Sequence, residues 1–112
     1  MRYAVPVTDG KIAVHFGHCD QFVLFDVDEG KKEIVRKEVL ASPGHQPGLL
    51  PVWLADEGVS VIIAGGMGSR AQTLFRENQI QVVVGTLQDD PEKAILDCIA
   101  GKLATGDNIC DH

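Results

Sequence analysis

Apolar positions along the chain follow two rhythms, and the switch between them divides it into elements. Residues 2–8 (RYAVPVT) alternate and are rich in β-prone side chains, which predicts a first strand. Asp9-Gly10 is a two-residue hairpin signal, so residues 11–14 fold back briefly. Residues 21–28 (QFVLFDVD) form a second strand, closed by Glu29-Gly30. Residues 31–40 (KKEIVRKEVL) are read as a third strand, although Ile34, Val35, Val39 and Leu40 do not alternate cleanly and a helix competes. The preceding turn and the β-branched centre favour the hairpin.

Beyond a Pro/Gly loop at 41–47 the rhythm lengthens. Residues 48–57 read as a helix with Leu49, Leu50, Trp53 and Leu54 on one face. Pro51 fits its first turn and Gly58 its end. Residues 59–64 (VSVIIA) and 80–84 (IQVVV) are continuously apolar, as parallel strands covered on both faces are. Between them 69–78 reads as a helix with Ala71, Leu74 and Phe75 inward. Asp89-Asp90-Pro91 starts a last helix, with an Asp cap and Pro at its first position. Its buried stripe is Ala94, Ile95, Cys98 and Ile99, and Gly101 ends it. The expected fold is α/β, a three-layer α/β/α sandwich with a mixed five-stranded sheet, in a single domain spanning residues 1–112.

Topology then concentrates the chemistry. A strand reached through a helical crossover runs parallel to the first. The start of strand two, the end of strand three and the end of the 59–64 strand therefore share one end of the sheet, where open α/β sheets bind ligands. Three of the seven His and Cys side chains, His15, His18 and Cys19, lie in the first of these loops, and His45 lies in the second. Cys110 and His112 lie in the tail, while Cys98 falls on the apolar helix face. Imidazole and thiolate suit zinc, copper, iron or an iron–sulfur unit. Any one of these residues alone would pass as a packed or solvated side chain; their clustering points to ligation. The third site, Gly65, Gly66, Met67, Gly68 and Arg70, joins a buried strand to a helix start. Free backbone N–H groups there suit a phosphate, a carboxylate or an anionic cluster.

Composition narrows the classes. A net charge of −6 and a pI near 5.0 argue against nucleic acid or an anionic membrane as partner. Three cysteines without framework spacing argue against a disulfide scaffold, and no signal-like or membrane-spanning run is legible, so a cytoplasmic chain is expected. No Ser-His-Asp arrangement or paired-carboxylate site is legible, which makes an enzyme the less expected class.

Residues 12–17 (IAVHFG), 22–26 (FVLFD), Gly44-His45 and 61–71 (VIIAGGMGSRA) form a combination that resembles the dinitrogenase iron–molybdenum cofactor biosynthesis family. The resemblance runs nearly end to end. It implies a ribonuclease-H-like motif and binding of a metal or metal–sulfur cluster (Fe–S, Mo–Fe–S or Mo–Cu–S) without evident catalysis. His15, His18, Cys19, Cys110 and His112 are then the candidate metal ligands, with His45, Gly65, Gly66, Met67, Gly68 and Arg70 contacting the cluster. The implied role is carriage in cofactor assembly or delivery, with donor and acceptor assembly proteins as partners and the chain a monomer or weak homo-oligomer. The alternative is a metal-dependent hydrolase acting on a phosphorylated small molecule at the 65–68 turn.

Overall fold

The computed structural model describes residues 1–16, 19–44 and 48–103. Strand β1 (Arg2–Thr8) is central, and its alternating side chains are buried on both faces. The Asp9-Gly10 turn takes up positive φ at both residues, 53° and 80°, as a tight hairpin requires. It returns the chain as β2 (Lys11–Ile12), paired to β1 through Val7 with Ile12 and Thr8 with Lys11. β3 (Gln21–Asp28) runs antiparallel to β1, and β4 (Glu33–Ala41) runs antiparallel to β3. Helix α1 (Leu49–Asp56) crosses to β5 (Val61–Ile63), and α2 (Ser69–Glu77) crosses to β6 (Gln81–Val83); both strands extend the sheet in parallel. Helix α3 (Pro91–Ile99) follows.

The sheet order is β4-β3-β1-β5-β6, with β2 beside β1. The expected mixed sheet is present, but with six strands, not five. The sixth arises because the Asp9-Gly10 turn is tight enough for residues 11 and 12 to pair back before the chain leaves the sheet.

Two buried clusters lie on opposite faces of the sheet. One gathers Ala4, Phe22, Leu24 and Ile62 with Leu50 and Leu54 of α1 and Phe75 of α2. The other gathers Tyr3, Val5, Val23, Phe25 and Ile63 with Ala94 and Ile95 of α3. The period-two pattern of β1 and β3 thus feeds both layers, because successive side chains point to opposite faces.

The irregular pattern of β4 has a local cause. Arg36 pairs with Asp26 but Ile34 pairs with Val27, so Val35 is an extra residue at a bulge. The bulge flips the strand's parity. Ile34 packs into the α3-side cluster, whereas Leu40 packs into the α1/α2-side cluster. A broken alternation that competes with a helix in sequence is here a strand with one inserted residue.

Candidate functional site

The rim at the end of β1 is built by backbone contacts. After β2 the chain is held back against β1 by Ala13 N–H donating to the Pro6 carbonyl at 2.9 Å. It then crosses the end of the sheet and meets the turn after β5. His15 and Gly66 form a parallel bridge, and Phe16 N–H donates to the Gly66 carbonyl at 2.8 Å. The crossing buries its two ends and exposes its middle. Ala13 and Phe16 are buried, while Val14 and His15 are exposed between them. The Phe16 ring anchors the segment. It lies edge-on to Phe75 at 5.3 Å and tilted against Phe22 at 6.1 Å, geometries that ring quadrupoles favour.

The second wall is the turn from β5 into α2. Gly65 lies directly beneath the crossing segment. A β-carbon there would sit 2.8 Å from the Ala13 carbonyl oxygen and 3.1 Å from that of Val14. Gly66 and Met67 are buried, Gly68 caps α2 in an extended conformation, and Arg70 is exposed in its first turn. The cap makes no side-chain hydrogen bond.

Sequence reasoning missed Gln72. It is 8% exposed, and its Nε2 donates to the Met67 carbonyl at 2.9 Å while Oε1 accepts from Arg76 at 3.2 Å. The signal was a polar residue beside Ala71 on the inward stripe, where a helix packed by apolar side chains alone would carry none. Here it donates to a main-chain carbonyl buried in the turn, so the polar group is satisfied inside the fold.

The third wall begins at Asp20. Its N–H donates to Val7 at 2.9 Å and its carbonyl accepts from Ser42 N–H at 3.0 Å. The start of β3 and the end of β4 are thereby tied at the same end of the sheet as His15 and Gly66, the convergence that topology leads one to expect. His18, His45, Cys110 and His112 lie outside the described residues.

Cys19 takes a different place from the rim. It is 2% exposed within the α1/α2-side cluster, and burial pushes its thiol up to about 11. The Cys19 side chain is thus part of the core layer and does not face the exposed rim beside His15. Met67, at 1% exposed, also packs inward. Among the described residues no three His, Cys, Asp or Glu side chains gather closely enough to form a metal site by themselves. His15 is therefore the soft donor that the described rim presents, beside a glycine turn opening a helix.

A cleft of about 170 Å³ opens between residues 12–14 and the 85–89 loop, with Gly65 in its lining. It shares Ile12, Ala13, Val14 and Asp89 with a neighbouring cavity of about 380 Å³ that also reaches Thr8, Lys11 and His15. No helix of the described residues is long and apolar enough to cross a membrane.

Known proteins agree with this architecture. The family model described as "Dinitrogenase iron-molybdenum cofactor" matches residues 1–101. The uncharacterized protein MJ0580 of Methanocaldococcus jannaschii is 30% identical over 87 residues, 73% of this chain and 72% of its own. The crystal structure of PH0822 is 30% identical, with a TM-score of 0.86 and 94% of each chain covered. The apo form of the orange protein from Desulfovibrio gigas has a TM-score of 0.70 at 23% identity, covering 96% of this chain and 93% of its own; that likeness is one of fold.

Proposed function

The chain belongs to the dinitrogenase iron–molybdenum cofactor family, and from that premise we propose that it holds a metal or metal–sulfur cluster as cargo for cofactor assembly or delivery. The observation that carries this reading is the Phe16–Gly66 hydrogen bond, which sets exposed His15 beside the 65–68 turn at the start of α2. His15 supplies an imidazole donor, and N–H groups at the helix start favour the negative charge of a sulfide cluster. Arg70 stands in the same first turn as a counter-charge. On a chain of net charge −6 an anionic cargo needs such local donors, since overall attraction is absent.

Cys19 is left out of the ligand set because its side chain is buried in the α1/α2-side cluster, away from the exposed rim. His18, His45, Cys110 and His112 are assigned as further donors from the flanking loops and tail. The strand order β4-β3-β1-β5-β6 is read as the ribonuclease-H-like motif. A hydrolase built on that motif needs carboxylates gathered at the strand ends to hold its metal, whereas the carrier reading draws its donors from imidazole and backbone N–H groups.

The test is anaerobic purification followed by iron, molybdenum, copper and sulfide analysis and an ultraviolet–visible spectrum. Wild-type protein should retain cluster with absorption beyond the aromatic bands. His15→Ala should keep its circular dichroism and lose most of the bound metal, about tenfold or more in affinity. A folded His15→Ala protein that retains the wild-type metal content would remove His15 from the site.

A further inference from the structure

Gly65 has no conformational need to be glycine, and this makes its absent side chain informative. Its φ lies outside the left-handed region, unlike that of Gly58 or Gly85 at +82° and 78°. Any L-residue could adopt the backbone; what excludes a side chain is space. The atoms that a β-carbon would meet are Ala13 O at 2.8 Å, Val14 O at 3.1 Å and Val14 Cα at 3.3 Å. All three are backbone, so no rotamer change relieves the overlap.

We infer that Gly65 is a positioning residue, which seats the His15 segment on the end of β5 without itself touching the cargo; this rests on the carrier reading above. The strand side of the contact is held firmly. Gly65 O accepts from Gly85 N–H at 2.6 Å, and Ala64 both donates to Val83 at 2.9 Å and accepts from Thr86 at 3.3 Å. A methyl group at residue 65 is therefore accommodated by movement of residues 13–15, not of β5. That segment is pinned before His15 by the Ala13–Pro6 bond and after it by the Phe16–Gly66 bond. Lifting it at Gly65 strains the second pin and withdraws His15 from the α2 turn. A site held this way is preorganised by main-chain contacts, so cargo binding need not order the loop.

The experiment compares Gly65→Ala, Phe16→Leu and Ile63→Val with wild type. Two readouts are taken: hydrogen exchange of the residue 16 amide, and the affinity for cobalt(II) alone, followed by its visible spectrum. Gly65→Ala should speed exchange at Phe16 about tenfold or more and weaken cobalt binding about tenfold. Ile63→Val, a core trim that lowers global stability without touching the segment, should leave both unchanged at matched folded fraction. Phe16→Leu loosens the segment at its other anchor and should weaken cobalt binding as Gly65→Ala does, so the proposal stands on a folded variant even if Gly65→Ala does not fold. Wild-type exchange at Phe16 in folded Gly65→Ala overturns the inference, as does wild-type cobalt affinity in Phe16→Leu. Wild-type protein that binds no cobalt defeats the His15 metal reading instead, and the exchange data still decide the role of Gly65.

Discussion

His15 and Cys19 stand four positions apart in one sequence cluster, yet one is exposed at the rim and the other buried in the core. The pair marks what a local sequence cluster can and cannot say. Two imidazoles and a thiol within five positions point to soft-ligand chemistry, but the direction of each side chain depends on contacts far away in the chain. Burial raises the Cys19 thiol from 9.0 to about 11, which has a consequence for stability. Below about pH 9 the thiol is neutral in both folded and unfolded chains. Between 9 and 11 only the unfolded chain ionises, so stability falls as pH rises, by on the order of 2 kcal/mol. Denaturant midpoints measured from pH 8 to 11 should show that excess slope in wild type and its loss in Cys19→Ala.

Among the elements, α3 was the most legible and β4 the least. The start of α3 follows from side-chain chemistry alone. Asp90 Oδ1 accepts from Glu92 N–H at 3.0 Å, and Pro91 takes the first helical position, where no donor is lost. Asp90→Ala should cost about 1 kcal/mol, read as a lower midpoint in denaturant unfolding. β4 hid its identity because a bulge at Val35 reverses which positions face inward. The same bulge, with Arg36 and Lys37 beside it, guards the long outer edge of the sheet against pairing.

At the scale of the whole molecule the sheet has a fastened end and a chemical end. At the start of β1, Arg2 Nε donates to Asp26 Oδ1 at 2.9 Å and its Nη1 donates to the Glu57 carbonyl at 2.8 Å, tying β1, β3 and the end of α1. The hydrogen bond from Arg2 holds the Asp26 carboxyl below its usual range. Its contribution is fully present above about pH 4 and is lost as pH falls through the lowered folded value. The pair is partly exposed, so Asp26→Asn should cost no more than about 1 kcal/mol at neutral pH. Acid titration of the variant by circular dichroism should be flatter than wild type below pH 4, and metal binding at the other end should be unaltered.

Sequence alone determined the element types, the parallel pairing of the two apolar strands, the Asp90 cap, the glycine ends of the first and last helices and the sheet end where the loops meet. These follow from side-chain period, turn chemistry and the handed crossover, all of which are local or nearly so. Tertiary structure decided the rest. Cys19 left the rim because the start of β3 is covered by the α1/α2 layer, and no residue near it in sequence reports that cover. Gln72 entered the site because the turn after β5 leaves the Met67 carbonyl inside the fold. The glycine at 65 read as one of a ligand-binding trio, whereas the main chain of residues 13 and 14 lies against it. Space is the physical reason in each case: a sequence records which groups exist, and only the packed chain records what lies within 3 Å of them.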